Sequence, residues 1–262
     1  MKIEKNQQST NQSLIKGLSL LQILSDFPNG CPLAKIAELS ELNKSTAHRM
    51  LQTLQSCGFV QPSNSNGSYR LTTKCLSIGQ KTLSSLNILS ISAPHLEQLN
   101  LETGETINFS MQEGHHAIML NKLEPLAGIM RTRSYIGQQL QLYCSAMGKI
   151  FLAYAAEEYV DRYWHDQSSL FMQLTPNTIT TLPDMKQELE KIRKQGFAVD
   201  NEENEFGITC FACPIFDIHN KVRYALSLSL STAKLKQKDK KELITSVKNT
   251  ARLISAELGH NC

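Results

Sequence analysis

Cys210 and Cys213, three residues apart, and the adjacent His115 and His116 are the pairs in this sequence whose chemistry suits a metal or a redox reaction. Zinc needs four ligands, and no second Cys-x-x-Cys or spaced His pair accompanies the first. In a strand, residues three apart point to opposite faces and adjacent residues diverge, so both pairs read as ordinary structural residues. A nucleophile and base could be drawn from Cys144, Cys210 and Asp200, but no defining motif surrounds them, and the seven histidines lack organised acid–base partners. The segment after Asn43 is more informative. With Asn43 as N-cap, a helix there places Ala47, Met50, Leu51 and Leu54 on one face and Ser45, His48, Arg49 and Gln52 roughly opposite, with Lys44 and Thr46 in its first turn. The outer set mixes donors and acceptors that suit base edges and phosphates, where an ordinary surface helix carries Glu/Lys pairs.

Such a helix reads DNA only if other elements hold it. Leu14, Leu18, Leu21 and Leu24 recur at helical spacing before the breakers Asp26, Pro28, Asn29 and Gly30, which predicts a first helix. A second is expected over 32–40, with Pro32 in its first turn and Leu33, Ile36 and Ala37 inward. Gly58 is placed to end the third helix. Phe59-Val60, a turn over 62–67 and Ser68-Tyr69-Arg70-Leu71 then form a hairpin carrying Arg70. Helix, turn, helix and hairpin is the pattern of a winged helix-turn-helix. A small protein-binding three-helix domain shares the periodicity, and the polar face of the third helix together with Arg70 favours DNA.

At 262 residues the chain accommodates two domains more readily than one core. Apolar residues make up 41% of it and charged residues 19%, enough for globular cores, and no apolar run is long enough for a membrane helix. The polar start MKIEKNQQSTNQ lacks the features of a signal peptide, so a cytoplasmic, soluble protein is expected. Seven scattered cysteines fit reduced thiols better than disulfides. Residues 1–87 carry a net +5 and residues 88–262 a net −2, the asymmetry of a phosphate-binding module joined to a separate sensor.

The segment 13–74, with LAKIAELSELNKSTAHRMLQTL, a following GF and then GSYRLTTK, resembles the N-terminal domain of IclR-family regulators. In the second half Gly196, Asp200, Glu203, Cys210, Ala212, Ile215, Phe216 and Asp217 match the family signature in type and spacing, with Phe211 standing where an aliphatic residue is usual. The stretches SSLNI, TGETINFS, LYCSAMGKI and FDIH are similar to members that repress sugar-acid (diketogulonate-type) catabolic operons. The resemblance implies operator DNA as a partner, a GAF-like effector domain, a homodimer or homotetramer, and a small carboxylated metabolite, a sugar acid among the candidates. It implies neither cofactor, metal nor catalysis. The expected order is a disordered tail (1–12), the winged helix-turn-helix (13–74), a linker helix (75–87) and an α+β effector-binding and oligomerisation domain (88–262).

Within that last domain the residues themselves predict a helix over 88–102 with Ile91, His95, Leu99 and Glu102 along one face. Strands are expected at 106–111, 116–122, 128–133, 197–199, 208–216 and 222–230, and helices at 145–156 and 183–195. A final helix carries Ile244, Val247, Ala251, Ile254 and Leu258 as a stripe that packs on a sheet. The helix opening at Ser145-Ala146-Met147 could aim free N–H groups at an anion. By resemblance, the effector contacts fall on Ala146, Met147, Asp200, Ile208, Cys210, Ser227 and Ser229. Ser227 and Ser229 share one face of their strand and can converge on one ligand. Arg131 and Arg133 are further carboxylate candidates, with a solvated strand edge the alternative.

Overall fold

The computed structural model describes residues 11–63, 67–85, 87–127 and 134–260, which fall into two compact units, Met1–Ser85 and Leu86–Cys262. The expected strand at 128–133, and Arg131 and Arg133 with it, lie outside the described residues, as does most of the expected tail.

In the first unit, helices α1 (Gln12–Ser25), α2 (Leu33–Leu39), α3 (Lys44–Ser56) and α4 (Thr73–Ser84) accompany strands β1 (Cys31–Pro32), β2 (Val60–Ser63) and β3 (Ser68–Leu71). The three strands form an antiparallel sheet in the order β1-β3-β2. Leu20, Leu24, Cys31, Ile36, Leu51 and Val60 make the core. The apolar stripe of α1 therefore differs from the expected one, since Leu14 and Leu18 are 59% and 52% exposed. Several leucine sets in this helix satisfy a 3.6-residue period, and the set near its C-terminal end is the one the other helices can reach. Asn43 caps α3, accepting from the Thr46 N–H at 2.8 Å, and Gly58, at φ +78°, takes the left-handed turn just beyond it.

The second unit is α+β. Its antiparallel six-stranded sheet runs β6-β5-β4-β9-β8-β7, built from β4 (Thr106–Glu113), β5 (His116–Leu123), β6 (Gln139–Gln141), β7 (Ala198–Asn201), β8 (Ile208–Phe216) and β9 (Val222–Ser231). Helices α5 (Asn87–Thr103) and α10 (Lys240–Glu257) pack on one face. The other is covered by α6 (Ala146–Ala153), backed by α7 (Glu157–Gln167) and α8 (Leu182–Gln195), while the short α9 (Thr232–Leu235) follows β9. The two faces differ in composition. Ala198, Ala212, Ala225, Ser227 and Ser229 face α6, and Ile107, Phe109, Phe211, Ile215, Leu226 and Leu228 occupy the alternating positions. Small side chains on one face let α6 approach closely, and large ones on the other fill the space under α5 and α10.

The buried face of α5 is Ile88, Ser92, Leu96, Leu99, Asn100 and Thr103. Of the expected stripe only Leu99 belongs to it: Glu102 is exposed, and His95 meets Glu257 of α10 at 2.6 Å. On α10 the buried set is Leu243, Val247, Thr250, Ala251, Ile254 and Ser255, with Ile244 and Leu258 at its margin. Helix α7 was not expected from the sequence, although Val160, Tyr163 and Trp164 have the spacing of a buried helical face.

Every residue of α6 is buried. Gly148 is required there, because a Cβ would lie 2.6 Å from the Leu142 carbonyl oxygen and 2.7 Å from Ser145 Oγ. Gly148→Ala is expected to destabilise the protein by roughly 3 kcal/mol through overpacking. Denaturant unfolding measures this, and a midpoint equal to that of the parent would show that the Leu142 backbone can retreat.

Candidate nucleic-acid interface and effector cavity

On α3, Ala47 and Leu51 are buried and Met50 and Leu54 pack partly against the core, so the opposite face is presented outward. Lys44, Ser45, Arg49 and Gln52 are exposed, and Thr46 and His48 are half-buried. Ser45 Oγ also donates to Asn43 Oδ1 at 2.8 Å, which ties the first turn together. Arg70 is exposed on β3 opposite Gln61 of β2. With its amide oxygen turned to the guanidinium, Gln61 accepts from Arg70 Nε at 2.9 Å and Nη2 at 3.0 Å, a buttress the sequence reading missed. Lys74 is committed elsewhere: its Nζ donates to the Cys57 carbonyl at 2.7 Å, closing the end of α3.

In the second unit Ala146, Met147, Asp200, Ile208, Cys210, Ser227 and Ser229 all line one cavity of about 90 Å³. Strand register explains the convergence of the sheet residues. Asp200 pairs with Cys210 and Cys210 with Ser229, a row across β7, β8 and β9, while Ser227 pairs with Asn108 of β4. Period-two alternation sends these side chains to the α6 face. Ala146 and Met147 enter from the start of α6, where Ser145 Oγ accepts from the Gly148 N–H at 3.1 Å. The first-turn N–H groups of Ala146 and Met147 have no acceptor within the helix, so they remain positive partial charges at the cavity edge.

Asn108, Ser110, Asn204 and Glu205 belong to the same region and were not singled out from sequence. Asn108, Asn204 and Glu205 line the cavity, and Ser110 Oγ donates to Met147 Sδ at 3.2 Å. For Asn108 and Ser110 the signal was present in the strand TINFS, where polar residues alternate with large apolar ones, but alternation alone reads such a face as solvated.

Charge is managed tightly behind the cavity. Lys149, fully buried in α6, donates to Glu203 Oε1 at 2.6 Å and the Val199 carbonyl at 2.5 Å, with Glu188 at 3.5 Å. Asp200 Oδ1 accepts from the backbone N–H groups of Glu203 at 2.7 Å and Asn204 at 3.3 Å. Burial pushes the Asp200 carboxyl up to about 7 despite those bonds, with the Glu203 carboxylate adding to the rise and Lys149 opposing it. Burial also raises the thiols, Cys144 to about 12 and Cys210 as well, with Asp200 contributing to both. Thiols that stay protonated make poor nucleophiles and ligands. Cys213 lies on the α10 side of the sheet, so the Cys-x-x-Cys pair is split between faces. His115 packs against Tyr159 and Tyr163, whereas His116 opens β5. Among the described residues no three His, Cys, Asp or Glu side chains are grouped to hold a metal ion, and no helix is long and apolar enough to cross a membrane.

Residues 13–63 match the IclR helix-turn-helix domain and residues 80–256 the bacterial transcriptional regulator IclR C-terminal domain. The chain is 57% identical to the DNA-binding transcriptional repressor YiaJ of Escherichia coli (strain K12), over 98% of this chain and 91% of that one. It is also 57% identical to an uncharacterized HTH-type transcriptional regulator of Haemophilus influenzae, over 99% and 97% of the two chains. The crystal structure of the Thermotoga maritima IclR aligns with a TM-score of 0.73 at 33% identity, covering 95% of this chain and 99% of that one.

The raised Asp200 carboxyl has a consequence for stability. Between its unfolded value, about 4, and about 7 the folded protein binds the extra proton, so this group lowers stability as pH rises through that interval. Asp200→Asn keeps an acceptor for both N–H groups and cannot ionise. It is expected to melt with the parent near pH 4 and above it near pH 8. Thermal unfolding across pH tests this, and parallel curves would mean that Asp200 ionises normally in the folded state.

Proposed function

The chain belongs to the IclR family of bacterial transcriptional regulators and is a DNA-binding transcriptional repressor, not an enzyme, and on that footing we propose that it represses a sugar-acid catabolic operon under control of a small carboxylated metabolite. The observation that carries the metabolite is the cavity of the second unit. Its sheet wall presents Ser227, Ser229 and Asn108, its helix wall presents the N–H groups of Ala146 and Met147, and Asp200, Asn204 and Glu205 add acceptors. An anion leaving water needs donors of the first kind, and the hydroxyls of a sugar acid suit acceptors of the second.

Operator recognition is assigned to Lys44, Ser45, Thr46, His48, Arg49 and Gln52 on α3, with Arg70 on the wing reaching phosphate. In the cytoplasm two copies of the chain, as a dimer or paired dimers, would present two α3 helices to successive major grooves about 34 Å apart. The effector must bind one arrangement of the dimer more tightly than the other, since equal affinity shifts nothing.

The test is a gel shift on DNA upstream of the protein's own gene neighbours, with and without sugar acids such as diketogulonate. Specific binding that a sugar acid alters is expected, and absence of specific binding under every condition would sink the proposal. Arg49→Ala should weaken operator affinity about tenfold or more, the worth of one good base or phosphate contact, with the effector response of the second unit retained. Ser229→Phe should do the reverse, sparing operator affinity and abolishing the response.

A further inference from the structure

Asn108 is the third residue of β4 and is 4% exposed. Its Nδ2 is 3.0 Å from Ser229 Oγ and 3.3 Å from Ser227 Oγ, and its Oδ1 is 3.4 Å from Ser134 Oγ. An amide nitrogen carries two protons, and two serine oxygens lie within reach of it. Among the described residues the reverse orientation would leave two buried N–H protons with one partner, at a cost of about 1–3 kcal/mol, so the nitrogen faces the serines. Each serine oxygen then accepts from Asn108, and its single proton must be given elsewhere. Ser229 gives its proton to Cys210 Sγ, 3.1 Å away. No described acceptor takes the proton of Ser227, which lines the cavity.

We propose that Asn108 is a selectivity-determining residue of the effector cavity, whose carboxamide fixes Ser227 as a hydrogen-bond donor and so makes the sheet wall select a carboxylate over the corresponding uncharged amide. The proposal rests on the reading of this cavity as the effector site. Asn108 acts partly through Ser227 and is in that respect a positioning residue. An Asp at 108 would reverse the wall: its carboxylate accepts from the serine hydroxyls, leaves their lone pairs facing the cavity and adds a negative charge beside any bound anion.

The experiment uses the full-length protein and operator DNA. Release of the operator is titrated with a panel of short hydroxy- and keto-acids, gluconate and diketogulonate among them, and with the amides of the same acids. The parent should prefer acid to amide. In Asn108→Asp that preference should fall by about tenfold or more, the scale of one charge-assisted hydrogen bond, whereas a purely structural role would weaken acid and amide alike. Ser227→Ala, which adds no charge to the interior, should lose the same preference and keeps the test open if the Asp variant folds poorly. An unchanged acid-to-amide ratio in Ser227→Ala, or in a folded Asn108→Asp, overturns the proposal while leaving the effector reading intact. A parent protein that responds to no acid of the panel overturns the effector reading and this assignment with it.

Discussion

One ammonium group governs the second unit. Lys149 sits in the middle of a helix with no solvent-facing side, and a charge so placed persists only if partners meet it with good geometry. Those partners come from three places: Glu203 in the turn after β7, Glu188 on α8 and the Val199 carbonyl in β7. Removing one member of such a buried pair commonly costs 3–5 kcal/mol, because it strands the other charge, about ten times what a surface pair contributes. Lys149 therefore holds the start of α6 and the end of β7 in one relation, and the cavity lies between them. The Glu203 carboxylate, kept close for Lys149, also helps to keep the proton on Asp200.

The sheet supplies the other half of the site by an unusual use of alternation. A half-buried antiparallel sheet normally turns its polar positions to water. Here the alternating serines of β9, with Asn108 and Ser110 of β4, are covered by α6 and its neighbours, so polarity lies inside. Such groups are tolerable only when satisfied, and apart from the Ser227 proton they satisfy one another through Asn108, Cys210 and Met147. A ligand entering the cavity meets a network whose internal bonds already fix which atoms are donors.

This division explains what could be read from the sequence. The face partition of α3, its Asn43 cap, the wing carrying Arg70 and the shared face of Ser227 and Ser229 all follow from local periodicity and cap chemistry. Asn108 and Lys149 do not, because a strand pattern reports which residues share a face without saying whether water or another helix lies against it, and a lysine in an apolar helix shows nothing of the carboxylate fifty-four residues later that compensates it. The misplaced stripes of α1 and α5 have a related cause. Each helix contains more apolar positions than it buries, and the choice among them is made by neighbours distant in sequence. Of the cavity residues named by resemblance, Asp200 and Cys210 belong to the signature, and their pairing across β7 and β8 is the physical content of that spacing.

The separation of small and large residues on β8 and β9 also bears on how such a protein can diverge. Positions 210, 212, 227 and 229 touch the cavity side, and 211, 213, 226 and 228 touch the helices behind the sheet, so each cavity residue has chain neighbours on both sides that serve only the core. An inherited change at Ser227 or Cys210 alters what the cavity can hold and leaves the packing beneath α5 and α10 as it was. The register of two strands thus makes the contents of the cavity and the integrity of the scaffold separately heritable.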